Sequence, residues 1–398
     1  MNPDIARLHA YPFEKLAALK AAVTAPTSLS PIPLSIGEPK HAPPDFVLET
    51  ITTHLSAVGQ YPTTRGLTSL RETIANWLQK RFSLPANSID PEQHVLPVSG
   101  TREALFAIAQ CIIDRREQPV IMMPNPFYQI YEGAALLSGA QPYYLNTTAN
   151  TDFLPDFSDV PEKIWQRCQL VYICSPGNPT GRVIPKTMLA ELMALSERYH
   201  FLIVSDECYS ELYFDETQPP IGLLQAAAEI GNTTFKNCLV FHSLSKRSNL
   251  PGLRSGFVAG DAEVITQFYR YRTYHGCAIS LPYQQASIAA WSDETHVKQN
   301  RDYYRQKFNQ FIDIVGPHLP LTQPEAGFYL WPETPIDDEQ FAQQLFAQQH
   351  ITVLPGKYLS REAHGTNPGT NHVRLALVAD VAQCQQAAER IRTFMQNS

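Results

Sequence analysis

The sequence lacks the long apolar run that a membrane-spanning helix requires. Such a helix needs roughly 18 or more consecutive apolar residues, and every apolar stretch in this chain is much shorter. The first residues, Met1-Asn2-Pro3-Asp4, also lack the basic start and apolar stretch of a signal peptide. We therefore expect a cytoplasmic protein that does not bind membranes.

An excess of positive charge is absent as well. The chain has 31 Lys and Arg against 38 Asp and Glu, for a formal net charge of −7. Such a surface does not attract nucleic acid or anionic membranes. A local pocket can still be basic, so small anionic substrates remain compatible with this composition.

Two groups of motifs are missing. The seven cysteines are scattered, with no C-x-x-C pair, so we expect reduced core thiols and neither a disulfide framework nor a metal site. There is also no G-x-G-x-x-G after the first strand and no G-x-x-x-x-G-K-[ST]. Their absence argues against a dinucleotide-dependent dehydrogenase.

The first two thirds of the chain alternate short apolar runs with helical patterns. Leu70, Ile74, Trp77 and Leu78, for example, fall on one face of a predicted helix. The predicted strands are residues 95–98, 120–123, 141–145, 170–174, 202–205, 239–243 and 256–258. This alternation predicts an α/β fold with a mostly parallel, doubly wound sheet.

The last third has a different pattern. A long helical stretch at residues 287–311 precedes two short strand-like segments, which is typical of a smaller α+β domain. The Pro-rich start reads as an arm that packs with this small domain. The predicted units are the N-terminal arm (residues 1–45), a large domain (46–285) and a small C-terminal domain (286–398).

Lys246 directly follows a predicted strand, in Ser243-Leu244-Ser245-Lys246. A residue at the carboxyl end of a strand in an open α/β sheet can point into the crevice where ligands bind. Arg254 is close enough in sequence to fold back onto the same ligand. An isolated Ser-x-Ser-Lys is usually a surface loop, so this interpretation depends on the other segments.

Asp206 ends another predicted strand. A carboxylate there can keep a pyridinium nitrogen protonated, so that the ring of pyridoxal phosphate works as an electron sink. Tyr209 can reach the hydroxyl of such a ring. The alternative for Asp206 is an ordinary helix N-cap.

Further segments also follow predicted strands. Asn178, between prolines and glycines, can direct its amide at the ring oxygen or simply belong to a turn. Gly100 and Thr101 open a helix and can offer amides and a hydroxyl to a phosphate, or act as an ordinary cap. Tyr128 can stack on a flat ring, although core packing is the commoner fate of aromatic residues.

Together these segments resemble the class I/II aminotransferases of fold type I, and the resemblance covers nearly the whole chain. Each motif is weak alone, but their common order is specific. The motifs are Gly37-Glu38-Pro39, Tyr61-x-x-x-x-Gly66, Ser99-Gly100-Thr101, Pro126-x-Tyr128, Asn178-Pro179-Thr180-Gly181, Asp206-x-x-Tyr209, Ser243-x-Ser245-Lys246 and the late Arg374. The family implies a seven-stranded, mostly parallel sheet, a smaller α+β domain and pyridoxal 5′-phosphate as cofactor.

The resemblance also implies roles at the reacting end of the site. Lys246 corresponds to the catalytic lysine that carries the cofactor and moves a proton, and Asp206 to the partner of the ring nitrogen. Asn178 and Tyr209 resemble the ligands of the ring oxygen. Arg374 resembles the clamp of the substrate α-carboxylate, a task that suits a planar guanidinium.

The remaining roles concern the phosphate, the ring face and a second subunit. Tyr128 resembles the stacking ring, and Gly37 is expected to add a backbone amide, with Asn178, to the substrate site. Tyr61 resembles the tyrosine that reaches the phosphate of the neighbouring subunit, which implies a homodimer with shared active sites. The residues that resemble the phosphate site are Gly100, Thr101, Arg102, Ser243 and Arg254.

Longer strings narrow the resemblance to the bacterial succinyldiaminopimelate transaminases of lysine biosynthesis. These strings are residues 125–133, 248–256 and 365–369. Glutamate is then the expected donor, and the oxo acid of N-succinyl-diaminopimelate the acceptor. Arg272 and Arg102 are candidates for binding a second substrate carboxylate.

Two alternatives stay open. An aspartate or aromatic aminotransferase, or a β-eliminating lyase, can use the same core, and the distal part of the pocket decides between them. A non-catalytic regulator is more remote, because the arm is too short for a DNA-binding module and the net charge is negative.

Overall fold

The computed structural model describes residues 1–397. Its strands are β1 (Ile32–Pro33), β2 (Val95–Val98), β3 (Val120–Asn125), β4 (Gln141–Asn146), β5 (Cys168–Cys174), β6 (Leu202–Asp206), β7 (Cys238–Ser243), β8 (Gly256–Gly260), β9 (Tyr329–Leu330), β10 (Ile351–Thr352), β11 (Leu354–Pro355) and β12 (Val373–Ala376). Its α-helices are α1 (Pro12–Ala21), α2 (Asp45–Thr53), α3 (Thr68–Arg81), α4 (Thr101–Ile112), α5 (Ile130–Leu137), α6 (Glu162–Trp165), α7 (Lys186–Tyr199), α8 (Leu223–Glu229), α9 (Leu244–Arg247), α10 (Ala262–His275), α11 (Leu281–Ser292), α12 (Thr295–Val315), α13 (Asp338–Gln349) and α14 (Val381–Gln396).

Seven strands form the central sheet, in the order β2-β8-β7-β6-β5-β3-β4. Four neighbouring pairs are parallel, and only β8 runs antiparallel to its neighbours β2 and β7. The predicted α/β fold with a mostly parallel seven-stranded sheet is confirmed. The carboxyl ends of β2, β3, β5, β6 and β7 therefore meet at one edge of the sheet.

Side chains alternate between the two faces of this sheet. Val171 packs into one apolar cluster with α3, whereas its neighbours Leu170 and Tyr172 pack into another with α4. Both faces are covered by helices, which explains why the strands are continuous apolar runs. Burying each such side chain stabilises the fold by about 1.5–3 kcal/mol.

A second, smaller unit follows the sheet. Strands β11, β12 and β9 form an antiparallel sheet that shares an apolar cluster with α12, α13 and α14. Strand β1 pairs in parallel with β10, so part of the arm is joined to this unit. Because the clusters separate in this way, we propose the division into residues 1–45, 46–285 and 286–398.

The prediction of one long helix at residues 287–311 is wrong. The structure has two helices here, α11 and α12, which are separated by the non-helical residues Asp293 and Glu294. Asp293 Oδ2 accepts from the backbone N–H of His296 at 2.9 Å, which satisfies a free amide at the start of α12. Glu294 Oε1 accepts from Trp77 Nε1 at 2.9 Å and Arg247 Nη2 at 2.5 Å.

The described helices also bear on membrane binding. Throughout residues 1–397, each helix is too short or too polar to cross a membrane.

Candidate active site

A cavity of about 410 Å³ lies at the carboxyl edge of the central sheet, between the sheet and the smaller unit. Its wall contains residues from the ends of five predicted strands, together with residues from the arm and from β12. The residues singled out from the sequence that line it are Gly37, Thr101, Arg102, Tyr128, Asn178, Asp206, Tyr209, Ser243, Lys246, Arg254 and Arg374. The sheet thus brings together side chains that are far apart in the chain.

Lys246 lies on the short helix α9, which begins directly after β7. Ser243 caps this helix, since its Oγ accepts from the backbone N–H of Ser245 at 3.1 Å. The amine of Lys246 donates to the carbonyl oxygen of Gly37 and lies 5.3 Å from the ring centroid of Phe328. Burial lowers the pKa of Lys246 to about 8, so a sizeable share of the amine is neutral near that pH.

Asp206 lies at the end of β6 and is 4% exposed. Its Oδ2 accepts from the hydroxyl of Tyr131 at 2.7 Å, and its Oδ1 accepts from the backbone N–H of Cys208 at 3.2 Å. Burial raises the pKa of Asp206. A buried carboxylate without a cationic partner gains most when a protonated ring nitrogen comes beside it.

Thr101 and Arg254 line the cavity, with Gly100 beside them, and their chemistry suits an anion. Gly100 has φ +83°, and a Cβ at this position would lie 2.3 Å from Arg254 Nη2, so only glycine lets the guanidinium approach. Thr101 begins α4, whose free amides and dipole favour an anion. Arg254 Nη1 donates to the carbonyl oxygen of Pro251 at 2.8 Å, which holds the guanidinium in place.

Arg374, on β12, also lines the cavity. Its Nη1 donates to Asn178 Oδ1 at 3.0 Å, and its Nη2 donates to the carbonyl oxygen of Ser35 at 2.8 Å. Its buried Nε has no hydrogen-bond partner among residues 1–397. The guanidinium also lies 4.4 Å from the ring centroid of Tyr329. An oriented guanidinium with an unused donor suits a carboxylate.

Three expected residues differ from the rest in how they relate to the cavity. Gly100 does not line the wall but lies next to the guanidinium of Arg254, where its lack of a side chain leaves space for that group. Gly37 contacts the site through its carbonyl oxygen, which accepts from Lys246. Tyr61 is 101% exposed and does not line this chain's cavity.

The expectation that Arg272 binds a substrate carboxylate is wrong. Arg272 is 0% exposed, and its two terminal nitrogens donate to the carboxylate of Glu103 at 2.7 and 2.8 Å. It lies outside the cavity wall. Arg102 does line the wall, where its Nη2 donates to the hydroxyl of Tyr11 at 2.9 Å.

The structure adds site residues that sequence reasoning missed. Tyr131 holds Asp206 and stacks on Tyr172, with ring centroids 4.7 Å apart. Tyr329 lines the cavity, where its hydroxyl lies 3.1 Å from that of Tyr209. The available signal was that a buried tyrosine hydroxyl usually requires a hydrogen-bond partner. Both residues looked like ordinary core aromatics in the sequence.

A group of possible metal ligands lies near this site. Glu103, His275 and Cys277 each present one ligand atom, and these atoms lie within 4.8 Å of one another. The sequence spacing gave no sign of this group. The ion pair between Glu103 and Arg272 opposes a cation here, because the guanidinium already neutralises the carboxylate.

Comparison with known proteins agrees with this geometry. The family model "Aminotransferase class I and II" matches residues 30–391. The chain belongs to this family. A solved aminotransferase from Neisseria meningitidis is similar to it, with 46% identity, a TM-score of 0.95, and coverage of 99% of this chain and 100% of that chain.

Two further proteins are also similar to the chain described here. The solved aminotransferase AspB from Helicobacter pylori has 35% identity and a TM-score of 0.90, with coverage of 98% of this chain and 100% of that chain. An LL-diaminopimelate aminotransferase from Desulforudis audaxviator is 30% identical over 368 residues, which cover 91% of this chain and 89% of the relative.

Pyridoxal 5′-phosphate is the cofactor of this family, and the residues present fit it. The buried Nε of Arg374 has no hydrogen-bond partner among the described residues, and the buried carboxylate of Asp206 is held only by the uncharged donors of Tyr131 and Cys208. Gly100 leaves the close space that the guanidinium of Arg254 enters. The cavity thus offers an amine, a carboxylate and a cationic anion-binding end, which match the aldehyde, ring nitrogen and phosphate of the cofactor.

Proposed function

We propose that this aminotransferase transfers the amino group between glutamate and the oxo acid of N-succinyl-L,L-2,6-diaminopimelate, a reaction of lysine biosynthesis. The observation that carries the proposal is the placement of two guanidinium groups, Arg374 and Arg102, in one cavity with Lys246. The diaminopimelate skeleton is supported by the name of the Desulforudis relative. The succinyl group is supported by the longer sequence strings at residues 125–133 and 248–256.

Bound pyridoxal 5′-phosphate supplies an aldehyde that takes up the amino group and a ring that draws electrons from the α-carbon. Lys246 Nζ would hold the cofactor, and its amine would take the proton from the substrate α-carbon as a general base. Its lowered pKa suits this task, because a base must be partly neutral at the working pH. Asp206 keeps the ring nitrogen protonated, and Tyr131 orients Asp206.

The other proposed contacts orient the cofactor. Asn178 and Tyr209 are proposed to bind the ring oxygen, and Tyr128 to stack on the ring. The proposed phosphate ligands are the backbone amides around Gly100 and Arg102 together with the side chains of Thr101, Ser243 and Arg254, which lie in or beside the cavity wall.

Arg374 is proposed to bind the substrate α-carboxylate. Asn178 and Ser35 orient its guanidinium through Nη1 and Nη2. Gly37 adjoins the same part of the cavity, and its amide is proposed to assist. With the carboxylate held here, the α-carbon is kept near Lys246, which prevents unproductive binding.

Arg102 is proposed to bind the distal carboxylate. Among residues 1–397, no carboxylate forms an ion pair with it, and its observed partner is the neutral hydroxyl of Tyr11. Arg254, Arg374 and Lys246 are assigned to the phosphate, the α-carboxylate and the aldehyde. Arg102 is therefore the cation of the cavity wall that is free for the far end of a long acidic substrate.

The test is to add single amino acids to the cofactor-loaded protein and follow the cofactor absorbance. N-succinyl-diaminopimelate and glutamate are expected to convert the cofactor rapidly. Arg102→Gln is expected to raise the KM for N-succinyl-diaminopimelate by roughly tenfold, as loss of a charged hydrogen bond does. Arg198→Gln, on the exposed face of α7, is the matched control. No absorbance change with the succinylated compound would overturn the substrate assignment.

A second candidate is transamination of LL-diaminopimelate without the succinyl group. The name of the Desulforudis relative favours it. The same absorbance experiment separates the two, because the favoured compound converts the cofactor at lower concentration. Rapid conversion by aspartate or phenylalanine, or release of a β-substituent as in a lyase, would instead identify the other reactions of this fold.

We also propose that the active protein is a homodimer with shared sites. Tyr61 is fully exposed, and Leu55 and Val58 nearby are 54% and 64% exposed. Apolar side chains that face solvent together mark a surface for association. A second copy that covers this surface would receive the Tyr61 hydroxyl at its own phosphate site.

A further inference from the structure

Asn300, on α12, lies behind the turn that carries Lys246, and its amide is fully hydrogen-bonded. Its Nδ2 donates to the carbonyl oxygens of Lys246 at 3.2 Å and Arg247 at 3.3 Å. Its Oδ1 accepts from Asn249 Nδ2 at 3.0 Å and lies 2.8 Å from His41 Nδ1. An asparagine amide has two donor hydrogens and two lone pairs, so every bond it can form is made.

These partners allow only one placement of the hydrogen atoms on the Asn300 amide and on the His41 ring nitrogen that faces it. Carbonyl oxygens only accept, so the Nδ2 of Asn300 faces Lys246 and Arg247, and its Oδ1 faces His41. His41 therefore carries a proton on Nδ1. Its Nε2 is buried and has no hydrogen-bond partner among the described residues.

His41 is neutral at physiological pH. Burial is the largest cause that lowers its pKa, to about 4, and the positive charge of Lys307 acts in the same direction. The hydrogen bond to Asn300 and the charge of Asp380 act in the opposite direction and are outweighed. The ring packs against Tyr303 and Tyr304, with centroids 5.1 and 4.9 Å away, so its position is well defined.

The stretch that ends at His41 also contacts the amine of Lys246. We name residues 37–41 the strap. The carbonyl oxygen of Gly37, at its start, accepts from Lys246 Nζ. The backbone carbonyl of Lys246 is thus bonded to Asn300, and its amine is bonded to Gly37. Since Asn300 also bonds to His41 at the end of the strap, the strap connects these two contacts.

We propose that Asn300 is a positioning residue, which fixes the backbone at Lys246 and, through His41, couples it to the strap. Asn300 is 2% exposed and lies outside the cavity wall, so it acts through Lys246. A misplacement of about 1 Å can slow a reaction by as much as 100-fold. The inference holds whichever amino acid is the substrate.

The test compares three variants of the cofactor-loaded protein. Asn300→Ala and His41→Leu both break the connection, whereas His41→Asn keeps a donor near the position of Nδ1. Three quantities are measured: the pH midpoint of the cofactor absorbance, the rate of its conversion by saturating amino acid, and thermal unfolding without cofactor. The first two variants are expected to convert the cofactor roughly 10- to 100-fold more slowly and to shift the midpoint. His41→Asn is expected to stay near the native protein.

A matched control separates positioning from stability. Gln169 also binds backbone through both ends of its amide, to Asp114 N at 2.7 Å and Asp114 O at 3.4 Å, but at the amino end of β5. Gln169→Ala is expected to lower thermal stability alone. The proposal is overturned if Asn300→Ala behaves like this control. If Asn300→Ala does not fold, a native midpoint and rate in His41→Leu overturn it instead.

Discussion

At Lys246, burial has a kinetic consequence. Its pKa is lowered to about 8, whereas an exposed lysine has a pKa of about 10.4. Since only the neutral amine attacks an aldehyde, the attachment rate of pyridoxal 5′-phosphate to cofactor-free protein should rise with pH and level off above a midpoint near 8. Stopped-flow absorbance from pH 6 to 10 measures this. A rate that is still rising steeply at the top of this range would contradict the expectation.

At Arg374, geometry matters beyond charge. Arg374→Lys keeps the positive charge but cannot donate to Asn178 and Ser35 while also binding a carboxylate with two prongs. The KM for amino acids should rise roughly 10- to 100-fold, the effect of about 1.5–3 kcal/mol, with cofactor absorbance unchanged. Arg390→Lys is the control, because Arg390 binds the carbonyl oxygens of Ser30 and Gln349 far from the cavity. An unchanged KM in Arg374→Lys would exclude the carboxylate clamp.

For individual residues, the sequence predicted those that belong to the ordered series of family motifs. Thr101 and Asn178 follow strands, so topology places them at the cavity without knowledge of packing. Tyr329 was missed because its short strand reads as core. Arg272 was misassigned because its pairing with Glu103, 169 residues away, depends on tertiary packing that periodicity does not contain.

Among the elements, the strands of the central sheet were predictable because they are buried on both faces. The predicted strand at residues 95–98 has the same bounds as the observed β2. The bounds of the other six predicted strands differ by a few residues from those of the corresponding strands β3 to β8. The break between α11 and α12 was not predictable from apolar spacing, which continues across it. Its local signal was Asp293, a residue that caps helices.

The break between α11 and α12 positions Glu294 beside Arg247, which is 1% exposed. Glu294→Gln should lower the free energy of unfolding by about 1–3 kcal/mol, because a buried guanidinium loses a charged partner. Chemical denaturation measures this. Glu162→Gln removes an exposed pair with Arg198 and should cost at most about 1 kcal/mol. Equal effects in the two variants would show that Glu294 is no special support.

For the whole molecule, the proposed dimer with shared sites predicts how mixed subunits behave. A Lys246→Ala copy and a Tyr61→Phe copy each lack one component. If Tyr61 acts on the neighbouring subunit, one site of each mixed dimer contains both native residues. Mixing should then restore tight cofactor binding and turnover at that site, measured by cofactor titration. A mixture that performs no better than Tyr61→Phe alone would show that Tyr61 acts within its own chain.

The pairing of β1 with β10 sets an order of assembly during synthesis. Strand β1 ends at Pro33, and its partner β10 begins at Ile351. The pairing of β1 therefore cannot form until β10 has emerged from the ribosome. The central sheet, complete by Gly260, can form earlier. The proposed phosphate site can therefore form before Gly37 and Arg374 are brought together, and the proposed site for the amino acid is completed last.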